Sequence, residues 1–370
     1  MKNLYFIKKN SIFVQKYIKF MNTITSITNR HQRLITFDAL KCFAIFLVIW
    51  GHCIGGFTST NLADLSMYRI IYSFHMPLFM MISGYFAFSS MTMSVKDFLK
   101  KKFRQLLYPC LTMGALIWLF LESTHSFHYQ RNSVSISGLL IDFYWFSDFW
   151  FLKSCFICYT LAYFGIRSKL KKRYWILFTL LISQCFVPFF VSFMYPCFLI
   201  GMELYNNNNF RQRIIKYRYY ISSLFIIMLF FYTADAWNYS HGIPDGIQNT
   251  DIDTWLLIIS NRVFRLSIGI IGALSFFAFS IECFKLKQNN SFLKLLGKWG
   301  QITLEVYLLQ AVFLEKIITN YIQFDNITPF IYYFIITPII SISLLYIFVF
   351  LVTRIYKIRH LGTFLFGKPT

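Results

Sequence analysis

The sequence predicts an all-α, polytopic integral membrane protein with about ten transmembrane helices and both termini in the cytoplasm. Of its 370 residues, 57% are hydrophobic and only 14% are charged, a composition typical of membrane proteins rather than soluble domains. Ten apolar segments are long enough, or nearly long enough, to cross a bilayer. Basic residues concentrate in alternate loops between these segments. That placement favours a membrane topology over nucleic-acid binding as the reason for the formal charge of +21.

The predicted spans follow one another closely along the chain. Pro188 and Pro196 interrupt a continuous apolar run, so the fifth and sixth spans are the least clearly separated. The ten segments run roughly over 37–57, 67–89, 106–121, 148–165, 174–190, 191–205, 219–234, 257–283, 300–319 and 329–352.

The loops between these spans separate by charge. The segments before 37, at 90–105, 166–173, 206–218, 284–298 and after 352 hold 29 of the 36 Lys and Arg residues. The intervening loops contain one basic residue, Arg131, and several Asp and Glu residues. The positive-inside rule therefore places the basic loops and both termini in the cytoplasm. An odd number of spans would destroy this alternation, so an even count near ten is predicted.

Three regions follow from this topology. Residues 1–33 form a basic cytoplasmic segment without a signal-peptide core, residues 34–352 form the transmembrane domain, and residues 353–370 form a basic cytoplasmic tail. All eight cysteines fall within apolar segments. Cys155 and Cys158 match the spacing of a redox motif, but their apolar surroundings favour a pair of small core residues. No metal site and no permanently bound cofactor are expected.

The first span contains two residues that are costly to bury, Lys41 and His52. They lie eleven residues apart, about three helical turns, so on a helix they share one face roughly 16 Å apart. Ionisable groups inside membrane spans usually face the protein interior and mark a functional path. Lys41 lies near the cytoplasmic end, whereas His52 lies well past the midplane, where its side chain cannot reach the cytoplasmic interface. Because imidazole accepts and returns protons near neutral pH, His52 is the candidate base.

The second span places a further histidine at a similar depth. His75 would lie two turns below Arg69 and could share a cavity with His52, although a hydrogen-bonded core histidine is the alternative. Pro77 is predicted to interrupt this helix and to free backbone carbonyl groups. Asp38 either orients Lys41 from one turn away or simply starts the first helix.

A basic cluster follows the second span. Five cations occur at Lys96, Lys100, Lys101, Lys102 and Arg104. They serve as ordinary topology signals, or some of them bind a polyphosphate such as the nucleotide end of coenzyme A. The sequence leaves both interpretations open.

Several sequence blocks together resemble the acyltransferase family 3 membrane proteins. The blocks are FDALKCFAIFLVIWGHCIGG, FHMPLFMMISGYF, FLKKKFRQLLYP, FWFLKSCF, YPCFLIGMELY and GQITLEVYLLQAVF, and the resemblance covers residues 34 to 352. The most specific block is the first, with a basic residue, ten intervening positions and a histidine. The resemblance implies transfer of an acyl group, expected to be acetyl, from cytoplasmic acyl-CoA to a hydroxyl of a cell-surface or lipid-linked glycan in the bacterial cell envelope.

The resemblance also assigns roles by position. His52 would be the essential histidine, Lys41 its basic partner, and Lys101, Lys102 and Arg104 the acyl-CoA-binding residues. The chain departs from the family at Gln105, where a second arginine is usual, and at Gln310, where relatives often have a histidine. Because this glutamine cannot act as a base, no second catalytic histidine is expected there. His52 would either deprotonate the acceptor or carry the acyl group briefly.

Near the outer face, Arg69, Arg262 and Arg265 with Trp145 or Trp150 would contact the acceptor sugar, or would only anchor the protein in the bilayer.

The rival function is a transporter or flippase of a lipid-linked glycan, which fits the composition equally well. Such proteins often contain paired repeats with broken helices, and no repeat is visible in this sequence. A purely structural membrane scaffold would leave His52 without a role. The oligomeric state is not encoded in any recognisable motif.

Overall fold

The computed structural model describes residues 35–123, 149–186, 190–241, 252–285, 290–324, 327–358 and 360–367. Side chains are not described at 117–123, 241, 283–285, 316 and 320. The described part of the chain is almost entirely helical and contains no strand. In chain order the α-helices are α1 (Ile35–Gly56), α2 (Ser66–Tyr85), α3 (Phe88–Met91), α4 (Val95–Lys102), α5 (Tyr108–Ser123), α6 (Trp150–Arg167), α7 (Lys172–Ser183), α8 (Val191–Asn206), α9 (Asn208–Lys216), α10 (Arg218–Phe231), α11 (Ala234–His241), α12 (Ile252–Lys285), α13 (Ser291–Gly300), α14 (Thr303–Lys316), α15 (Pro329–Ile331), α16 (Thr337–Lys357) and α17 (Leu361–Phe366).

The all-α prediction is confirmed, and each of the ten apolar segments contains a helix. Three helical stretches in the described ranges are long and apolar enough to cross a membrane in one pass: Ile35–Gly56, Ile252–Glu282 and Pro329–Lys357. The pair Asn208–Lys216 and Arg218–Phe231, bent by 66°, would add a fourth as a broken span. The helices in the other segments are shorter or more polar. The count of ten spans and the position of the termini therefore remain predictions.

Helices α1 and α2 form the centre of the bundle. α2 packs along α8 and α12, while α1 packs against α13, α14 and α16. Two hydrogen bonds tie α1 to the last long helix, from Trp50 Nε1 to Thr337 Oγ1 (2.9 Å) and from the Tyr332 hydroxyl to the Ile54 carbonyl (2.8 Å). Most residues of α1 and α2 are thus buried among the other helices.

Two elements differ from the sequence-based prediction. α2 continues through Pro77 without a break. Gly269 of α12 allows a close approach to this point, since a Cβ there would lie 3.0 Å from the Ser73 carbonyl oxygen that proline leaves without its usual partner. The ninth predicted span is interrupted at Gln301 and Ile302, between α13 and α14. Gly300 packs so tightly on the backbone of Asp38 that the α13 end is fixed to α1.

Candidate active site

The N-terminal half of α1 carries an ion pair. Lys41 Nζ lies 3.0 Å from Asp38 Oδ1, one turn earlier, with 26% of the lysine side chain and 5% of the aspartate side chain exposed. The ammonium also lies 4.9 Å from the centre of the Phe86 ring. The structure therefore pairs these two candidates and holds the Lys41 charge in one position.

Lys41 borders a cavity of about 270 Å³. Its wall is largely aromatic and aliphatic, with a few hydroxyl and amide groups. The lining residues that bear on chemistry are Lys41, Ser83, Tyr159, Gln301, Thr303 and Tyr307. We call this the inner cavity, because Lys41 belongs to the first turns of α1. Its lining is mainly apolar.

The basic residues after α2 divide between this cavity and the surface. Lys102 is buried, with 5% exposed, and its Nζ lies 3.4 Å from the centre of the Tyr159 ring, which lines the inner cavity. Burial, together with the neighbouring Lys101 ammonium, lowers the pKa of Lys102 to about 7. Lys101 is half-buried and Arg104 is exposed. A π-helical turn, Phe103–Leu107, directly follows Lys102 and joins α4 to α5.

His52 is paired with an acidic residue. Its Nε2 lies 3.3 Å from Glu315 Oε1, and the same oxygen accepts a hydrogen bond of 2.9 Å from Gln310 Nε2. The two side chains of the pair are 28% and 24% exposed. Gln310, predicted only to be unable to act as a base, thus anchors the carboxylate instead. A carboxylate beside imidazole fixes its tautomer and stabilises its protonated form.

The role of Glu315 was not recognised from the sequence, although its charge was visible within the ninth apolar segment. The available signal was general, namely that a buried acid and a buried base usually pair with each other. Because the two residues lie on α1 and α14, sequence spacing alone cannot join them.

His52 and His75 contact the same tyrosine, but His75 has no open face. The Tyr72 hydroxyl lies 3.4 Å from both ring nitrogens of His52, and the Tyr72 and His75 ring centres are 4.7 Å apart. His75 is 1% exposed, and its Nδ1 donates a 2.7 Å hydrogen bond to the Ile71 carbonyl. The geometry therefore favours the hydrogen-bonded core histidine over a shared catalytic cavity.

A second cavity, of about 470 Å³, is lined by Tyr72 and by Arg265, one of the arginines predicted near the outer face; we call it the outer cavity. The rings of Tyr68 and Tyr72 stack with centres 3.9 Å apart and form one wall, and Trp150 and Trp237 contribute further aromatic surface. Met76 lines both cavities. The two spaces therefore approach each other at the middle of α2. His52 is not among the described residues that line either cavity; it contacts Tyr72, which lines the outer cavity.

The arginines predicted near the outer face occupy three different environments. Arg265 lines the outer cavity, with its guanidinium 5.0 Å from the Phe193 ring centre and 5.6 Å from that of Trp237. Arg69 instead donates hydrogen bonds to the carbonyls of Tyr232 (3.3 Å) and Ala63, so it fixes loop backbone. Arg262 is exposed. Trp145, the other predicted sugar contact, lies outside the described residues.

The cysteine pair lies in the bundle core. Cys155 and Cys158 are both buried free thiols, and Cys155 Sγ lies 3.7 Å from Ser83 Oγ. In the described ranges, no three His, Cys, Asp or Glu side chains converge as metal ligands would.

Comparison with known proteins gives a family and two relatives. The model of the family Acyl_transf_3, described as an acyltransferase domain, matches residues 34–353. The nodulation protein NolL of Mesorhizobium japonicum is 26% identical over 312 residues, which cover 80% of each chain. The nodulation protein NolL of Sinorhizobium fredii is 34% identical over 189 residues, which cover 46% of this chain and 48% of that protein. No solved structure matches.

Proposed function

Because the chain belongs to the acyltransferase family 3 and is therefore an O-acyltransferase, we propose that it is a multi-pass enzyme of the cytoplasmic membrane that acetylates a glycan. The donor is cytoplasmic acetyl-CoA, and the acceptor is a hydroxyl group of a cell-surface or lipid-linked glycan. The termini lie in the cytoplasm, as the loop charges predict.

The observation that carries the proposal is the His52–Glu315 pair. An imidazole held 3.3 Å from a carboxylate in the core of an apolar bundle has the arrangement of a general base with its orienting group. A partly buried pair of this kind contributes little to stability, because loss of hydration offsets most of the attraction between its members. A catalytic role therefore explains the pair, whereas a contribution to stability does not.

The donor site is proposed at the cytoplasmic end of the inner cavity. Lys101, Lys102 and Arg104 supply cations for the phosphates of coenzyme A, and the mainly apolar cavity beside them accepts the thioester arm. Lys41 lies along that arm, with Asp38 holding its ammonium 3.0 Å away. The family of the chain supports an acyl donor, and the cluster and cavity support this location.

The reaction transfers the acyl group from the thioester sulfur of the donor to the hydroxyl oxygen of the acceptor. His52 takes the proton from the acceptor hydroxyl while the hydroxyl oxygen attacks the thioester carbon. The carbon–sulfur bond then breaks, and the imidazolium returns the proton to the leaving thiolate, giving the ester and free coenzyme A. Glu315 stabilises the imidazolium between these steps. In the alternative order, His52 first takes the acyl group itself and then passes it to the acceptor.

The proposal is tested with inverted membrane vesicles that contain the protein and expose its cytoplasmic face. Acetyl-CoA labelled in the acetyl group is supplied outside these vesicles, and the label is followed into the glycan within the lumen. Vesicles without the protein provide the background. Label in luminal ester-linked acetyl groups supports the proposal. Movement of unmodified lipid-linked glycan across the bilayer without labelling would support the flippase instead.

A further inference from the structure

The outer cavity contains a positive charge without a matching negative one. Among the described residues that line it, Arg265 is the only charged one, and none is Asp or Glu. Among the described residues, no carboxylate forms an ion pair with the Arg265 guanidinium. Glu315, the carboxylate that contacts His52, is engaged by His52 and Gln310. The Arg265 side chain is half-buried, and partial loss of hydration makes an anion that accepts its hydrogen bonds favourable.

The position of the guanidinium fits ligand binding better than core packing. The guanidinium carbon lies 5.0 Å from the Phe193 ring centre and 5.6 Å from the Trp237 ring centre, within the range of cation–π contact. Cation–π contact does not consume the N–H donors of a guanidinium, which can form bidentate hydrogen bonds. A planar fork held in this way is suited to a carboxylate or a phosphate.

The rest of the wall indicates what kind of molecule carries the anion. Tyr68, Tyr72, Trp150 and Trp237 give the cavity flat aromatic surfaces, against which the C–H faces of sugar rings pack. A neutral sugar presents many hydroxyl donors, and carboxylate or amide side chains accept from these well; among the described lining residues Asn61 is the only such side chain, beside the hydroxyls of Tyr68, Tyr72 and Ser73. An acidic sugar needs fewer acceptors and one good cation. The volume of about 470 Å³ is of the size that small-ligand sites have.

We infer that the outer cavity is the acceptor subsite and that Arg265 selects acceptors bearing an anionic group, either a carboxylate on the sugar or the diphosphate that links a glycan to its lipid. This inference rests on the proposed function, since it assumes that the acceptor is a glycan. It adds a substrate class that separates acidic from neutral acceptors. Arg265 acts here as a specificity residue, because the proton transfer belongs to His52.

The inference is tested by measuring the equilibrium binding of small probes to the purified full-length protein in detergent, in the absence of acetyl-CoA. Ligand-observed NMR detects the bound probe. Three probes are compared: methyl glucoside, methyl glucuronoside, which differs from it by a carboxylate at C6, and geranyl diphosphate. The wild type should bind one anionic probe roughly 10- to 100-fold more tightly than the neutral sugar. Preference for the glucuronoside identifies an acidic sugar, and preference for the diphosphate identifies the lipid linkage.

The variants assign any preference to Arg265. R265Q should bind all three probes equally weakly, whereas R265K, which keeps the charge but not the fork, should retain part of the preference. R213Q, at an exposed arginine of α9, is the matched control and should bind like the wild type. Elution of each variant as a monodisperse species confirms its folding, and R265K keeps the test open where R265Q does not fold.

Equal binding of neutral and anionic probes to the wild type, or an anion preference that survives in R265Q, would overturn the inference. The two proposals fail separately. Acetyl transfer to neutral glycans without anion binding would leave the acyltransferase function intact and remove the subsite. Anion binding that depends on Arg265 without any acetyl transfer would do the reverse.

Discussion

At the scale of single residues, the structure places one base, one acid and one tyrosine in contact. His52 Nε2 lies 3.3 Å from Glu315, and the Tyr72 hydroxyl lies 3.4 Å from both imidazole nitrogens. If the carboxylate holds Nε2–H, Nδ1 is left with its lone pair to accept a proton. Tyr72 also lines the outer cavity, so an acceptor hydroxyl is expected to reach His52 by passing the Tyr72 side chain.

Glu315 is predicted to act through His52. The change Glu315→Gln keeps the size of the side chain but removes the charge that stabilises the imidazolium. The value of kcat for acetyl transfer should fall roughly 10- to 100-fold, the loss expected for one charge-assisted hydrogen bond, while KM for acetyl-CoA changes little. Steady-state kinetics measure both. Glu282→Gln, at the far end of α12, is the control. A change confined to KM would assign Glu315 to donor binding instead.

Lys102 is predicted to make donor binding depend on pH. Its pKa is lowered to about 7 by burial and by Lys101, so the free protein loses this ammonium as the pH rises through about 7. The phosphates of the donor need the charged form. Between pH 7 and 9, KM for acetyl-CoA should therefore rise by up to about tenfold per pH unit. Lys102→Arg, which stays charged, should flatten this rise. Equal slopes for wild type and variant would exclude Lys102 from the donor site.

At the scale of helices, the site depends on how closely α2 packs against its neighbours. Gly84 of α2 and Gly201 of α8 face each other's helix so closely that a Cβ at either position would lie 2.0 Å from a backbone oxygen, of Phe198 and Met81 respectively. Neither oxygen can move without its helix. This contact fixes the face of α2 that lines both cavities.

Gly84→Ala is predicted to destabilise the fold. The methyl group must push α8 away from α2, and overpacking of this kind typically costs about 1–3 kcal/mol. The midpoint of thermal unfolding of the purified protein should fall. Gly297→Ala is the control, since its Cβ would meet mainly the end of the Ile35 side chain, at 3.0 Å. Equal midpoints for Gly84→Ala and the wild type would show that the helices separate at no cost.

At the scale of the whole molecule, two cavities approach each other at Met76, one beside Lys41 and one beside Arg265. The loop charges predict that the cavity beside Lys41 faces the cytoplasm and that the cavity beside Arg265 faces the outer side. This is the arrangement expected for a donor that enters from the cytoplasm and an acceptor that enters from outside. His52 lies about 16 Å along α1 from Lys41. A bundle of this design would bring two substrates together within the membrane and keep them apart elsewhere.

The helical architecture is predictable from the apolar segments, because a long apolar segment that crosses a bilayer satisfies its backbone hydrogen bonds internally by forming a helix. The sequence leaves open whether Asp38 orients Lys41 or only starts the first helix, and the structure pairs the two residues. Glu315 and Gln310 were not assigned to His52, since contacts between α1 and α14 depend on packing. Arg69 and Arg265 look alike in the sequence. Only the structure separates the arginine bound to loop carbonyls from the arginine in a cavity.

The central claim is that His52 carries the proton in acyl transfer. Its most direct test is kcat for acetyl transfer by the purified protein in proteoliposomes, compared among the wild type, His52→Ala and His360→Asn. His360 is exposed, at a φ of 65° that asparagine tolerates, so this variant controls for loss of a histidine. His52→Ala should lower kcat by about 10²- to 10⁴-fold with the protein still folded, and His360→Asn should not lower it. A folded His52→Ala protein with the kcat of the wild type would contradict the account.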